Sequence, residues 1–318
     1  MKTDSAKPEE ASRLREEIAR LKKEKNALVM AHYYQRDEIQ EIADFIGDSL
    51  ALARQAAKTD ADVIVMCGVH FMGETAKILC PDKRVLVPDP EAGCSLADSC
   101  DPEEFAAFVA AHPDHTVISY VNTSAAVKAH TDIVVTSGNA RKIVEKLPAD
   151  EKIIFGPDRN LGGYLNSVTG REMLLWNGAC HVHDRFSLDR IMEMKKEHPG
   201  AKILVHPECR RPLQLIADKV GSTAALLDFA MNDDAREYIV VTESGILFEM
   251  RRKCPQKTFL AAPAEDAECQ CNECDYMKLN TLRKVYEALR DDKYEIEVDP
   301  EIAAKAVLPI KRMLEMSE

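Results

Sequence analysis

The feature that most restricts the fold of this chain is a regular alternation of short apolar segments with helical patterns. Each apolar segment is continuously hydrophobic, as expected of parallel strands that helices cover on both faces. The alternation therefore predicts an α/β protein made of layered strands and helices. The strand candidates lie at 27–31, 63–66, 85–87, 117–119, 133–135, 153–155, 203–205 and 239–241.

A weak internal repeat adds a second level of organisation. Three of the predicted strands end in polar residues, and a hydroxyl side chain follows 17 positions later, close to a glycine. Three homologous α/β units around one site would explain this spacing, because open α/β sheets bind ligands at the carboxyl ends of their strands. Coincidence within an ordinary α/β protein is the alternative. The pairs are His32 and Ser49, Tyr120 and Ser137, and His206 and Thr223.

Charge and hydropathy argue against several classes of protein. The 318 residues carry a formal net charge of −12, and the basic residues are scattered, unlike those of a nucleic-acid-binding protein. No segment approaches the roughly 18 apolar residues of a membrane span, and the first residues show no apolar signal segment. We therefore expect a cytoplasmic protein with neither nucleic acid nor membrane as a partner.

Ten cysteines in such a chain favour metal binding or catalysis over disulfide bonds. Cys94, Cys180 and Cys274 lie 62, 60 and 68 residues after the polar strand ends at 32, 120 and 206, one cysteine in each repeat. Three thiolates would hold a metal centre on the pseudo-threefold axis and leave one coordination position open for catalysis. Four other cysteines are interpreted as small buried residues: Cys67, Cys80, Cys100 and Cys254.

The segment C-x-C-x2-C at Cys269, Cys271 and Cys274 is by itself typical of a zinc or redox site. A compact zinc site needs a fourth local ligand, and no histidine follows His206 in the chain. A zinc-binding or redox-sensing protein is therefore a minor alternative.

Several motifs, spread over residues 25 to 318, resemble those of the quinolinate synthase family. The first are AHYYQ (31–35) and IADFIGDSL (42–50), followed by Gly68 and the segment 71–77. The later ones are YVN (120–122), TSGN (136–139), FGPD (155–158), CHVH (180–183) and HPEC (206–209).

This resemblance implies three αβα (Rossmann-like) units in a pseudo-threefold arrangement around a central active site. Residues 1–97 would form the first unit, with the helices of 275–318 packed on it, residues 98–182 the second and residues 183–274 the third. It also implies a [4Fe–4S] cluster on Cys94, Cys180 and Cys274, with one open iron that acts as a Lewis acid.

The activity that the resemblance implies is the condensation of iminoaspartate with dihydroxyacetone phosphate. The products are quinolinate, phosphate and water, and quinolinate enters NAD biosynthesis. An aspartate-oxidising enzyme would supply the iminoaspartate. The main alternative is an aconitase-type iron–sulfur hydro-lyase, which would use the same open iron but would not consume dihydroxyacetone phosphate.

Roles follow for the matched positions. Hydroxyls at helix starts suit anionic substrates, although the same residues also serve as simple N-caps. Cys274 precedes a helical pattern, so we expect a helix dipole to lower the pKa of its thiol. The candidates for proton transfer and catalysis are Tyr34, His32, Glu208, His206 and His183. The candidates for substrate binding are His32, Ser49, Tyr120, Asn122, Ser137, His206, Glu208, Ser222 and Thr223.

Overall fold

The computed structural model describes residues 8–265 and 272–318, and within them the strands form three parallel four-stranded sheets. Each sheet has its second strand at one edge, followed by its first, third and fourth strands. The predicted α/β fold of three αβα units is therefore confirmed. The first unit contains β1 (Ala27–His32), β2 (Phe45–Gly47), β3 (Val63–Cys67) and β4 (Arg84–Leu86); the second contains β5 (Thr116–Tyr120), β6 (Ile133–Val135), β7 (Ile153–Gly156) and β8 (Leu174–Leu175); the third contains β9 (Lys202–Val205), β10 (Lys219–Val220), β11 (Glu237–Val241) and β12 (Thr258–Ala261).

Helices connect these strands and flank the sheets. They are α1 (Pro8–Glu24), α2 (Asp37–Ile42), α3 (Ser49–Lys58), α4 (His70–Leu79), α5 (Ser95–Asp98), α6 (Pro102–Ala110), α7 (Ala125–Lys128), α8 (Ala140–Lys146), α9 (Arg159–Thr169), α10 (Leu188–Glu197), α11 (Arg211–Leu215), α12 (Thr223–Asn232), α13 (Ile246–Lys253), α14 (Leu282–Asp291) and α15 (Pro300–Met316). Two short 3-10 helices lie at His183–Arg185 and Met277–Leu279.

The internal repeat extends to individual hydrogen bonds. In each unit an aspartate just before the second strand bonds twice with a residue of the first strand that lies 15 positions earlier. Its carboxylate accepts the backbone N–H of that residue at 2.8–2.9 Å, and its own N–H donates to the backbone carbonyl of the same residue. The same polar contact therefore joins the first two strands of every sheet. The pairs are Asp44 with Val29, Asp132 with Val117, and Asp218 with Ile203.

The hydrophobic core runs through all three units. All five residues of β3 are buried, as are the four of β7, which agrees with continuously apolar parallel strands. The largest apolar cluster contains Met66, Phe155 and Leu204 from the three sheets, together with side chains from the helices between them. The units are thus joined by apolar packing as well as by polar contacts.

The two C-terminal helices pack differently. The helix α14 lies on α1 and β3 of the first unit, whereas α15 contacts α4 of the first unit and also β6 and α7 of the second. The residue boundaries proposed for the units stay a prediction. Within the part of the chain that the structure describes, no helix combines the length and the apolar character that a bilayer crossing requires.

Candidate active site

One pocket lies where the carboxyl ends of the three sheets meet. It is lined by all but one of the site residues that the sequence predicts. The exception is Ser222, whose hydroxyl accepts a hydrogen bond from the Ala225 N–H at 3.3 Å and therefore caps α12. The predicted residues in the lining are His32, Tyr34, Ser49, Cys94, Tyr120, Asn122, Ser137, Cys180, His183, His206, Glu208, Thr223 and Cys274.

The turns after β1 and β9 hold two histidines in the same way. The backbone N–H of Tyr34 donates to His32 Nδ1 at 3.2 Å, and that of Glu208 donates to His206 Nδ1 at 3.3 Å. Each ring therefore carries its proton on Nε2, and His206 Nε2 lies 3.3 Å from the Ser137 hydroxyl. Burial lowers the pKa of both histidines to about 3, so the two rings are neutral donors at neutral pH.

A chain of hydrogen bonds joins the phenol of Tyr34 to the carboxylate of Glu208. The Tyr34 oxygen lies 2.7 Å from the hydroxyls of both Thr223 and Thr242. The Thr242 hydroxyl lies 2.9 Å from His183 Nε2, and His183 Nδ1 lies 3.1 Å from a Glu208 oxygen. One consistent direction of donation runs from the phenol through Thr242 and His183 to Glu208. The chain is thus suited to carry protons between these two groups.

Tyr34 and Glu208, at the two ends of this series of hydrogen bonds, have opposite acid–base character. Burial raises the pKa of Tyr34 well above its ordinary value, so its phenol stays protonated. Burial would also raise the pKa of Glu208, but the adjoining His183 ring and the hydrogen bonds from His183 and Tyr120 lower it to about 2. The Tyr120 hydroxyl donates to this carboxylate at 2.5 Å. The pocket therefore combines a protonated phenol with an ionised carboxylate.

The three cysteines predicted as metal ligands come from different parts of the chain into the same pocket. Burial raises the pKa of Cys94 to about 12 and that of Cys274 to about 11, and it also raises the pKa of Cys180 well above its ordinary value. All three thiols line the same pocket, and the negative charge of a neighbouring thiolate adds to the rise in pKa at Cys94 and Cys180. A metal that takes the place of the protons suits such a group, and thiolates favour iron–sulfur centres and zinc.

The structure corrects one expectation about Cys274. The helix α14 begins only at Leu282, and a short 3-10 helix at Met277–Leu279 lies between them. No long helix dipole therefore acts on the thiol, and burial raises its pKa instead of lowering it. The neighbouring Cys269 and Cys271 lie outside the described residues.

A second group of ligand atoms lies beside the first. The Cys180 sulfur, a His183 nitrogen and a Glu208 oxygen all lie within 4.8 Å of one another. Cysteine, histidine and glutamate are common metal ligands, so this group is also able to hold a metal ion. The donor atoms of the pocket thus fit a bound metal centre.

Two buried carboxylates that the sequence analysis did not predict accept hydrogen bonds from the backbone of two of the cysteines. Asp158 accepts the backbone N–H of Cys180 at 3.2 Å, and Glu243 accepts that of Cys274 at 3.1 Å. Glu243 also forms a 3.0 Å ion pair with Lys278, whose ammonium donates to the Tyr34 carbonyl at 2.7 Å. Both carboxylates lie two positions after the third strand of their unit, a repeat position that the sequence contains.

Fold and pocket together define the class of this protein: an α/β enzyme of three repeated units whose shared pocket combines acid–base groups with metal-binding side chains. A profile of the family described as quinolinate synthetase A protein matches residues 16–315. This match covers most of the chain, and the chain belongs to that family.

The similar proteins agree with this assignment. The quinolinate synthases of Synechococcus sp. and Thermosynechococcus vestitus are 56% and 57% identical over 300 residues, which are 94% of this chain and 94% of each relative. The quinolinate synthase of Chloroherpeton thalassium is 55% identical over 303 residues, 95% of this chain and 94% of its own. Neither the aconitase-type alternative nor the zinc-binding alternative is favoured by these findings.

The neutral state of His32 generates a prediction about stability. Between its folded pKa of about 3 and the ordinary value of about 6.5, the unfolded chain binds a proton at this ring that the folded chain does not. Stability must therefore rise with pH across that window. We expect His32→Gln to reduce the difference in unfolding free energy between about pH 7 and about pH 5 by roughly 2 kcal/mol. Urea unfolding without oxygen measures this difference, and an unchanged value in the variant would contradict a neutral buried ring.

Proposed function

We propose that this chain condenses iminoaspartate with dihydroxyacetone phosphate to quinolinate, phosphate and water, in the biosynthesis of NAD. The observation that carries the proposal is the single pocket into which all three units place thiols, acid–base groups and hydroxyls. The name shared by relatives that match 94% of the chain supports the same reaction.

The thiols of Cys94, Cys180 and Cys274 hold a [4Fe–4S] cluster in this proposal. Their position in one pocket, one from each repeat, supports it, as does the preference of such clusters for thiolates. When bound, the cluster supplies a Lewis acid at the iron that has no thiolate ligand. Asp158 and Glu243 orient the peptides that carry two of the three ligands.

Hydroxyls and helix starts bind the anionic groups of the substrates. The net charge of −12 would repel both substrates at long range, so their recognition has to be local. Ser49 and Thr223 are the first residues of α3 and α12, where free N–H groups and the helix dipole favour phosphate and carboxylate. Ser137 lies in the turn before α8 and faces His206. Tyr120 and Asn122 orient the carboxylates of the forming ring.

Tyr34 and Glu208 transfer the protons that enolisation and dehydration require. An ionised carboxylate removes a proton from carbon, and a protonated phenol delivers one to a carbonyl or a leaving hydroxyl. The links through Thr242 and His183 are between 2.7 and 3.1 Å, so the proton gained by Glu208 returns to Tyr34 along this path once His183 and Thr242 reverse the direction in which they donate. His32 and His206 donate from Nε2 and hold the substrate oxygens in place.

The proposed compartment is the cytoplasm. The cysteines that the structure describes are free thiols, and a reducing compartment maintains that state. The substrate iminoaspartate contains an imine that water hydrolyses, which favours functional coupling to an aspartate-oxidising enzyme.

The reaction itself is the first test. Enzyme purified without oxygen should form quinolinate from iminoaspartate and dihydroxyacetone phosphate, and enzyme whose cluster has been destroyed by air should form none. Chromatography of quinolinate, together with iron and sulfide analysis, provides the measurement. Consumption of dihydroxyacetone phosphate separates this activity from that of a hydro-lyase. Full turnover by cluster-free protein would rule out the Lewis-acid role.

The two proton-transfer residues are tested by removing one functional group each. Tyr34→Phe and Glu208→Gln should retain the cluster and lose quinolinate formation by roughly a hundredfold or more. Tyr33→Phe and Glu237→Gln are matched controls, because neither residue lines the pocket, and both should remain active. Near-normal rates in Tyr34→Phe and Glu208→Gln would show that neither residue transfers a proton in the reaction.

The assignment of the third ligand separates Cys274 from its neighbours in the C-x-C-x2-C segment. Cys274 lines the pocket, so Cys274→Ala should lose the cluster, whereas Cys269→Ala and Cys271→Ala should keep about four irons per chain. Iron analysis of the three variants, purified without oxygen, measures this. Retention of iron by Cys274→Ala, with loss from either neighbour, would show that the assignment is wrong.

A further inference from the structure

In each unit, one side-chain nitrogen holds the two backbone carbonyls on either side of a pocket residue. The residue that carries this nitrogen always lies seven positions after the residue of the first carbonyl and five positions after the residue of the second. We call these three side chains the clamp residues. Gln40 donates to the carbonyls of Tyr33 (3.1 Å) and Gln35 (3.0 Å), around Tyr34; Lys128 donates to those of Val121 (2.8 Å) and Thr123, around Asn122; and Gln214 donates to those of Pro207 (2.9 Å) and Cys209 (2.7 Å), around Glu208.

Each clamp residue also reaches into a neighbouring unit. Gln40 donates to the Gly245 carbonyl of the third unit at 3.0 Å, and Gln214 approaches the Asn160 carbonyl of the second unit at 3.5 Å. The Lys128 ammonium lies 5.5 Å from the centre of the Phe71 ring of the first unit. These three partners occupy one repeat position, four residues after the third strand of their units. The contacts therefore form a closed cycle around the pocket.

Lys128 stands out among the three because its charged side chain is fully buried. Its ammonium contacts two carbonyls and an aromatic face, and a buried lysine is normally unfavourable. The same geometry is achieved by a neutral glutamine in the other two units. The Asn122 side chain between the two carbonyls lines the pocket, and its oxygen is buried without a hydrogen-bond partner. That oxygen is placed by the peptides that Lys128 holds.

We propose that Gln40, Lys128 and Gln214 are positioning residues that fix the pocket side chains Tyr34, Asn122 and Glu208 and align each unit with its neighbour. Each clamp restrains the peptide planes on both sides of one side chain, which limits the directions in which that side chain points. For Lys128, the proposal rests on the proposed function, in which Asn122 orients the quinolinate carboxylates.

The test measures quinolinate binding to the holoenzyme by anaerobic calorimetry. Lys128→Met should weaken binding about tenfold, the value of one hydrogen bond to a charged ligand, without loss of iron. Because Lys128 acts through Asn122, the double variant Lys128→Met/Asn122→Ala should bind no more weakly than Asn122→Ala alone. Lys128→Gln should retain most of the affinity, since glutamine serves as the clamp in the other units. Additive losses, or unchanged affinity in Lys128→Met, would overturn the proposal.

Lys257→Met is the matched control. Its ammonium also donates to two backbone carbonyls, those of Ala230 (2.6 Å) and Asp233, but it does not line the pocket. Quinolinate affinity should be unchanged in this variant. A loss equal to that of Lys128→Met would mean that any such lysine acts through general stability, which would also overturn the proposal.

If Lys128→Met does not fold, a second clamp residue, Gln214, tests the same proposal. Gln214 is partly exposed, and Gln214→Leu should slow quinolinate formation about tenfold in the wild-type background but not in the Glu208→Gln background. Equal slowing in both backgrounds would contradict its action through Glu208. Absence of quinolinate binding or formation in the wild-type enzyme would instead reject the proposed function, so the two failures are distinguishable.

Discussion

The meeting of β1, β5 and β9 at their carboxyl ends is the constraint on which the rest of the structure depends. Each of these strands is tied to its neighbour by the same aspartate contact and is followed by a segment whose carbonyls a clamp residue holds. These segments face one another because the three units share an apolar core. A side chain therefore enters the pocket as a consequence of its position in the repeat, which holds His-Tyr-Tyr, Tyr-Val-Asn and His-Pro-Glu in the three units.

Exclusion of water gives these side chains their chemical character. Burial keeps His32 and His206 neutral and Tyr34 protonated, whereas hydrogen bonds from His183 and Tyr120 keep Glu208 ionised. Hydrogen bonds between these side chains are stronger in a buried site of low dielectric than they would be in water. The pocket thus holds an acid and a base at opposite ends of one hydrogen-bonded chain, beside three thiols of a type that serves as metal ligands.

The fold and many of the residues that line the pocket could be predicted from the sequence, because the three units keep the same spacing between corresponding residues. The interval of 17 residues led to Ser49, Ser137 and Thr223, and all three line the pocket. Contacts between units were not predictable, since Tyr34, which contacts Thr242, and Lys278, which pairs with Glu243, are distant from them in sequence. The helix dipole expected at Cys274 was wrong because an irregular segment and a 3-10 helix precede α14. The clamp residues were missed because two are glutamines and one is a lysine, so only their hydrogen bonds reveal them as equivalent.

We propose above all that the three units supply three thiolates to a [4Fe–4S] cluster and leave one of its irons facing the substrate pocket. Mössbauer spectroscopy of protein loaded with 57Fe tests this most directly, with and without quinolinate. The account predicts that one iron site changes its parameters when quinolinate binds, while the sites bound by Cys94, Cys180 and Cys274 do not. A spectrum that is identical in both states, with every iron in a thiolate environment, would contradict it.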